Sequence, residues 1–205
     1  MPSSLPAAVR NHLAALRMLL VLTVITGIAY PLVVTGIAQT AFSHQANGSL
    51  VHLNGHVVGS SLIGQNFNLM KNGKDTGKPD PKWFQPRPSA GGYDPLASGA
   101  SNLGPNNADL VKTIKERRAA VAAFDGVNPK DVPVDAVTAS GSGLDPDISK
   151  AYADEQVDRV ARARGLDPAA VRKLVADNTH SRAVGFLGQD YVNVVNLNLD
   201  LAKAG

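Results

Sequence analysis

The hydrophobic residues of this chain are concentrated in one long run near the N-terminus. Residues 18–70 contain no Asp, Glu, Lys or Arg, and residues 19–37 include eleven Leu, Val or Ile side chains among nineteen positions. A helix of that length, rising about 1.5 Å per residue, nearly matches a hydrocarbon core of about 30 Å. These side chains together favour membrane insertion by on the order of 3 to 6 kcal/mol. The pattern predicts one transmembrane helix over residues 18–42.

A cleaved signal peptide and a buried core helix are the two alternatives for this run. A signal peptide has an apolar core of about 7 to 15 residues, whereas this run is longer, and residues 38–41 make a poor cleavage site. A core helix of a soluble protein normally keeps one polar face, and no such face interrupts residues 19–37. The pattern therefore favours a retained membrane anchor.

The charges that flank the run predict its orientation. Arg10 and Arg17 precede it, and the next Lys or Arg is Lys71. Because positive residues near a span stay in the cytoplasm, residues 1–17 are expected to be cytoplasmic. Residues 43–205 are then expected outside, in the periplasm or at the outer face of a bacterial plasma membrane.

The pattern after the membrane run predicts one hairpin followed by loops. Residues 50–53 and 56–58 are typical of strands around Asn54-Gly55, a dipeptide that suits the positive φ angles of a tight turn. Residues 71–88 are rich in Lys, Gly, Asp and Pro, and residues 89–107 in Gly, Ser, Asn and Pro. Both segments are expected to be loops.

Helical signals dominate the next part of the chain. Residues 108–124 repeat apolar side chains at helical spacing. Ser149 and Gly165 are typical of the N-cap and the stop signal of a helix over residues 150–164, and Asp167 is typical of the N-cap of the next helix.

The last segment, residues 191–201, alternates apolar and polar side chains and is predicted to form a half-buried strand. Strands at both ends of a helical middle predict an α+β class. We therefore expect a single N-terminal transmembrane helix followed by one extracytoplasmic mixed α+β domain.

Composition excludes two classes of partner chemistry. The chain has 20 Lys and Arg against 17 Asp and Glu, and two of the cations precede the membrane run, which leaves 18 against 17 outside. A nearly neutral domain without a basic stripe is not expected to bind nucleic acid. The chain has no Cys, so a thiolate ligand or nucleophile is excluded.

The candidate catalytic motifs are all weak. Ser142, Asp145 and His180 are the residue types of a hydrolytic triad, but no nucleophile elbow surrounds Ser142. His52 and His56 are expected to point to opposite faces of the hairpin, which makes a shared metal improbable. Other short motifs fail similarly: the Asp-Thr-Gly triplet at 75–77 lies in a polar segment, and residues 140–143 lack the ending of a P-loop. We predict no catalytic, cofactor-binding or metal-binding residue in this chain.

The membrane run itself suggests a packing surface. Small residues recur at helical spacing and form a narrow small-residue face, namely Thr23, Gly27, Pro31, Thr35 and Ala38. Such a face lets transmembrane helices approach closely, and a neighbouring helix can compensate for the backbone donor that Pro31 lacks. A lone anchor also tolerates Gly and Pro, so both interpretations stand. Thr23, Gly27, Tyr30 and Pro31 are the candidate partner contacts.

Several strings together resemble one family. Residues 22–39 (LTVITGIAYPLVVTGIAQ), 97–105 (ASGASNLGP) and 137–146 (VTASGSGLDP) occur in this order, with Arg87-Pro88-Ser89-Ala90 between the first two. The chain resembles the C subunit of the bacterial potassium-transporting P-type ATPase, the KdpC family, from about residue 17 to residue 201.

The resemblance implies a non-catalytic accessory subunit of a high-affinity ATP-driven potassium importer. Its partners would be a channel-like subunit that carries potassium, a P-type subunit that hydrolyses ATP, and the lipid bilayer. The subunit would assist assembly and act as a catalytic chaperone that raises the ATP affinity of the hydrolysing subunit. ATP and potassium would be handled by the partners, and the location would be the plasma (inner) membrane.

Alternative hypotheses remain for the outer domain. It could contact ATP directly through residues 137–146, act as a free-standing solute-binding or sensor module, or be a membrane-anchored hydrolase using Ser142 or Asp145. Within the accessory-subunit hypothesis, Arg87 and Asn102 are predicted to hold a partner-contacting loop over residues 87–105. An internally hydrogen-bonded loop is the competing interpretation.

Overall fold

The computed structural model of this chain describes residues 6–204 in two compact units, one up to Ser49 and one from Leu50 onward. Residues 1–5, which belong to the predicted cytoplasmic segment, and Gly205 lie outside the described residues. The helices and strands together confirm the α+β class.

The first unit is one long helix with a short extension. It begins with α1 (Ala7–Val24), passes through a π-helical turn (Ile25–Ala29) and continues as α2 (Tyr30–Ala41). A single helical turn, α3 (Ser43–Ala46), follows. Among the described residues one helix is long and apolar enough to cross a membrane, and none of its apolar window is buried.

The second unit contains three small antiparallel sheets, four α-helices and one short 3₁₀-helix (Val134–Ala136) within the described residues. Its strands are β1 (Leu50–Leu53), β2 (His56–Ser60), β3 (Asn68–Lys71), β4 (Lys74–Pro79), β5 (Asp147–Ile148), β6 (Thr179–His180) and β7 (Tyr191–Asn193). Its helices are α4 (Ala108–Asp125), α5 (Lys150–Arg164), α6 (Pro168–Asp177) and α7 (Val194–Ala204). The sheets pair β1 with β2, β3 with β4, and β5 and β6 with the central β7.

The first hairpin has the predicted register. Leu53 pairs with His56 and His52 with Val57 across the Asn54-Gly55 turn, where both residues have positive φ. The two imidazoles therefore do not share one cross-strand pair, as expected.

The segment 71–88 is not entirely a loop, and this correction has a clear local cause. Strand β4 pairs with β3 across Asn72 and Gly73, which have φ angles of 53° and 73°. This is the same turn chemistry as in the first hairpin, but the strand it closes is fully exposed and lacks the apolar alternation of a buried strand. Asp75 and Thr76 lie in this strand. Residues 89–107 have no helix or strand, as predicted.

The predicted helix boundaries in the middle of the chain are confirmed. The Ser149 hydroxyl accepts a hydrogen bond from the Tyr152 N–H, and Gly165 ends α5 with a φ of 69°. The Asp167 carboxylate caps α6 by accepting from the Ala169 N–H. Side-chain caps and a left-handed C-terminal glycine are local signals, which is why the sequence alone located them.

The predicted strand over residues 191–201 is wrong beyond Asn193. The Asn193 side chain accepts a hydrogen bond from the Asn196 N–H at 3.1 Å and starts α7 as an N-cap. The fully buried Asn198 then accepts from the Phe84 N–H and donates to the Phe84 carbonyl, both at 2.9 Å. A helix buries Asn198 with Leu197 and Leu201, whereas a strand would have turned this side chain to solvent.

One hydrophobic core lies among α4, α5, α6, α7 and the central strand β7. Its largest fully buried apolar side chains are Phe84, Leu197 and Leu201. The valines that complete it come from α5, α6, α7, β7 and the segment between α4 and β5: Val132, Val137, Val157, Val160, Val171, Val175, Val192 and Val194. This core supports the loops over residues 87–105 and 138–146, which lie at its surface.

Candidate functional site

The membrane helix changes its hydrogen bonding next to Pro31. A proline has no N–H, and its ring clashes with the carbonyl four residues earlier, which here belongs to Gly27. The helix widens into the π-helical turn over Ile25–Ala29, and the Tyr30 N–H bonds to the Ile25 carbonyl. This local widening accommodates the proline without ending the helix.

The small-residue face is open along this turn. A Cβ atom added to Gly27 would meet only the Thr23 methyl, at 3.9 Å, and Tyr30 is well exposed beside it. Nothing inside the first unit therefore requires a glycine at residue 27. Thr23, Gly27, Tyr30 and Pro31 lie on one continuous helix, and their contact with a partner stays a prediction.

In the second unit, Arg87 joins two loops that are distant in sequence. Its Nη1 forms an ion pair with Asp145 Oδ2 at 2.8 Å, and both side chains are more than two-thirds buried. The Tyr93 hydroxyl donates to the Arg87 carbonyl at 2.9 Å and lies 3.3 Å from the Asp145 carbonyl. Arg87 therefore fixes the position of residues 138–146 relative to residues 87–105.

Two hydrogen bonds to backbone carbonyls complete the junction between the two loops. The Ser89 hydroxyl donates to the Gly143 carbonyl at 2.7 Å, and the Gly99 N–H donates to the Ser142 carbonyl at 2.8 Å. Gly143 has a φ of 68°, and a Cβ there would lie 2.6 Å from the Gly99 carbonyl oxygen. Only glycine suits this position.

Asn102 lies away from this junction. Its amide donates to the Ala100 carbonyl at 3.2 Å within its own loop, and its φ is 52°. The side chain lines an open cleft of about 630 Å³ between this loop, α4 and residues 138–141. The structure thus does not bring Asn102 and Arg87 together, although both belong to the same loop.

A second cleft, of about 640 Å³, is lined by Arg87 and Asp145 themselves. The carboxylates of Asp135, Asp145 and Asp147 line it. Burial and the neighbouring Asp145 raise the pKa of Asp147, whose side chain accepts a hydrogen bond from Asn193. No sequence signal indicates this acidic cleft, because its aspartates come from segments that only the fold brings together.

The three residues considered as a candidate triad have separate partners. Ser142 Oγ accepts from the Leu144 N–H at 3.1 Å, Asp145 is paired with Arg87, and the His180 ring stacks on Tyr191 with centroids 4.9 Å apart. Asp75 is exposed and bonded to Gly77 and Asn68. Within residues 6–204 no group of three or more His, Cys, Asp or Glu side chains is arranged to hold a metal ion.

Sequence reasoning also missed a carboxyl group with an unusual environment. Glu155, on α5, faces Asp125, Asp131 and Asp135. Its Oε1 is buried without a hydrogen-bond partner. Burial, followed by the charge of Asp125, raises the pKa of Glu155 to about 7. A single Glu in a helix gives no sequence signal for this cluster.

We expect the free energy of unfolding to fall as the pH rises from about 5 to about 7.5. The folded chain keeps a proton on Glu155 that the unfolded chain, with an ordinary Glu pKa, has already released. The stabilisation is complete below the unfolded pKa and is lost as the pH passes the folded one. Urea unfolding of the full chain in detergent micelles at several pH values measures this slope.

The control for this pH effect is a matched pair of substitutions. Glu155→Gln should flatten the slope, whereas Glu116→Gln should preserve it, because Glu116 is an exposed residue of α4. A slope that survives Glu155→Gln would contradict the assignment.

The comparisons with known proteins match nearly the whole chain. The family model described as KdpC, K+-transporting ATPase, c chain, matches residues 12–203. The chain is similar to the potassium-transporting ATPase KdpC subunit of Streptomyces avermitilis, with 52% identity over 99% of this chain and 98% of that protein. The corresponding proteins of Kineococcus radiotolerans and Mycobacterium tuberculosis are each 50% identical, over 100% and 95% of this chain and 99% and 98% of their own lengths.

Proposed function

Since the chain belongs to the KdpC family and is thereby an accessory subunit of a potassium-transporting ATPase complex, we propose that it assists assembly and raises the ATP affinity of the subunit that hydrolyses ATP. In this proposal the chain itself is non-catalytic. A channel-like subunit carries potassium, a P-type subunit hydrolyses ATP, and both contact this chain.

The main structural support for this proposal is the membrane helix. It exposes apolar side chains on every side, as a helix that is surrounded by lipid and by other helices does. Residues 18–42 span the membrane in this proposal. Arg10 and Arg17 keep residues 1–17 in the cytoplasm, which puts residues 43–205 outside.

This orientation limits how the chain can change the ATP affinity of the hydrolysing subunit. The nucleotide is cytoplasmic and the folded domain is outside, so the effect is transmitted across the membrane by preferential binding to one conformation of the pump. Direct contact of ATP with residues 137–146 is the alternative. Protease access to the domain from the outer side of intact cells supports transmission, whereas nucleotide crosslinking to residues 137–146 supports direct contact.

Purification of the assembled complex tests the accessory role. A tagged copy of the full chain, expressed with the whole transport system and extracted in mild detergent, should bring down two larger membrane proteins. Vesicles made from these cells should show a lower ATP concentration for half-maximal hydrolysis than vesicles lacking the chain. Recovery of the chain alone would count against the proposal.

Gly27→Leu should reduce recovery of the larger subunits several-fold. The new Cβ atom would meet no neighbouring side chain closer than the Thr23 methyl, at 3.9 Å. A loss of assembly would therefore report on packing against another helix. Gly36→Leu is the matched control, since Gly36 lies in α2 outside the small-residue face and also has open space around it. Equal recovery with both variants would exclude the small-residue face as a contact.

A further inference from the structure

The turn between β6 and β7 presents three large apolar side chains to solvent. Val184 is 81% exposed, Phe186 is 72% exposed and Leu187 is 54% exposed. Large exposed apolar groups that are contiguous mark interaction sites more often than scattered single ones do. The remainder of the fold gives these residues no core to pack against.

This turn is ordered by its own hydrogen bonds. Ala183 and Leu187 exchange two backbone hydrogen bonds, at 2.9 and 3.0 Å, and the Arg182 N–H donates to the Asp190 carboxylate at 3.1 Å. Val184, a β-branched residue, has a φ of 52°. That conformation costs free energy and is maintained by the surrounding turn. The backbone that carries the apolar side chains is therefore fixed by the turn itself.

The acidic cleft lies directly beside this turn. Ala183 and Leu187 line it together with Asp135, Asp145 and Asp147. The turn and the cleft are therefore adjacent, which puts apolar side chains of the turn beside the carboxylates of the cleft.

The negative charge of the cleft indicates the charge that an occupant should carry. Arg87 neutralises Asp145. Asp135 accepts only from the Ser149 N–H and hydroxyl, and Asp147 accepts from Asn193. Within the described part of the chain neither of these two carboxylates pairs with a Lys or Arg. An anionic lipid headgroup would be repelled here, whereas a cationic side chain would be attracted.

We propose that the turn over residues 182–188 and the acidic cleft beside it dock a protein segment that carries a Lys or Arg next to an apolar side chain, contributed by a larger membrane subunit of the same complex. This inference rests on the proposed function, since it requires a partner subunit. Phe186 and Leu187 provide the apolar contact, and the carboxylate of Asp147 receives the cation.

Photo-crosslinking from residue 186 tests the contact. A photoreactive phenylalanine analogue at this position preserves the aromatic ring, and the same analogue at Met70, which is 63% exposed on β3, serves as the control. We expect an adduct from residue 186 alone, mapped by mass spectrometry to a segment of a larger subunit with a Lys or Arg within a few residues. A lipid adduct only, an adduct to a segment without a cation, or no adduct would overturn the proposal.

A substitution pair measures the strength of the contact. Phe186→Ser should lower the amount of larger subunits that copurify by about tenfold or more, since loss of a central aromatic contact typically costs that much affinity. Met70→Ser should leave it unchanged, and equal recovery with both would overturn the proposal. Wild-type chain that brings down no larger subunit would instead refute the proposed function, so the two failures are distinguishable.

Discussion

Arg159→Met should lower the free energy of unfolding by about 3 to 5 kcal/mol, because it leaves the buried carboxylate of Asp125 without its cation. The Arg159 and Asp125 side chains are only 4% and 1% exposed, and Arg159 Nε lies 2.6 Å from Asp125 Oδ1. Urea unfolding of the full chain in detergent micelles measures the loss.

The other contacts of Arg159 explain why the loss should be large. Its Nη1 donates to the carbonyls of Pro81 and Trp83 at 2.8 and 2.9 Å, and its Nη2 donates to Gln156 Oε1. The guanidinium also lies 4.4 Å from the centroid of the Phe124 ring. Removing it takes a donor away from several acceptors at once, and each lost hydrogen bond adds to the cost.

Arg172→Met is the matched control for Arg159→Met. Arg172 pairs with Asp158 at 2.9 Å, but the two side chains are 58% and 64% exposed. Solvent screens such a pair, so this substitution should cost less than about 1 kcal/mol. Similar losses from both variants would mean that the buried network contributes no more than a surface pair does.

The contacts of this buried network could not be predicted from the sequence. Asp125 ends α4, Arg159 lies in α5, and Gln85 follows the second hairpin, so nothing in the local pattern relates them. The backbone of Gln85 exchanges hydrogen bonds with the Gln156 side chain, at 2.6 and 3.1 Å. Contacts between side chains more than thirty residues apart depend on the tertiary fold, whereas capping and turn signals lie within a few residues.

The strand prediction for the segment that forms the last helix failed for a different reason. Residues 191–201 contain real alternation, but Val194, Leu197 and Leu201 also fall on helical spacing, so a short apolar pattern fits both periods. The N-cap at Asn193 favours the helix over the strand. An asparagine before Val-Val-Asn is by itself a weak signal of a helix start. Burial of the polar Asn198 against the Phe84 backbone could not be read from the sequence at all.

The residues of the candidate site could be predicted from the sequence only in part. Arg87 was predicted to hold a partner-contacting loop, and in the structure it joins that loop to residues 138–146 through Asp145. The internal ion pair agrees with the competing interpretation of a self-bonded loop, and a role for that loop in partner contact stays a prediction. The apolar turn at residues 182–188 was overlooked because an exposed Phe or Leu is distinguished from a buried one only by the fold.

Gly64→Ala should lower the free energy of unfolding by about 1 to 3 kcal/mol and loosen the Arg87 junction. A Cβ atom at residue 64 would lie 2.4 Å from Cε1 of Tyr93 and 2.8 Å from the Asp145 carbonyl oxygen. The oxygen belongs to backbone and cannot move freely, so the Tyr93 ring must shift, as overpacking of a tight site requires. That shift breaks the hydrogen bond from the Tyr93 hydroxyl to the Arg87 carbonyl.

Gly141→Ala separates this packing effect from a general cost of replacing glycine. Gly141 belongs to the loop that Arg87 anchors, has no atom within 4 Å of an added Cβ, and does not have a positive φ. Its substitution should change the free energy of unfolding by less than about 0.5 kcal/mol. Limited proteolysis should cut residues 87–105 faster in Gly64→Ala than in Gly141→Ala. Equal stability and equal cleavage rates in the two variants would show that Tyr93 does not hold the two loops together.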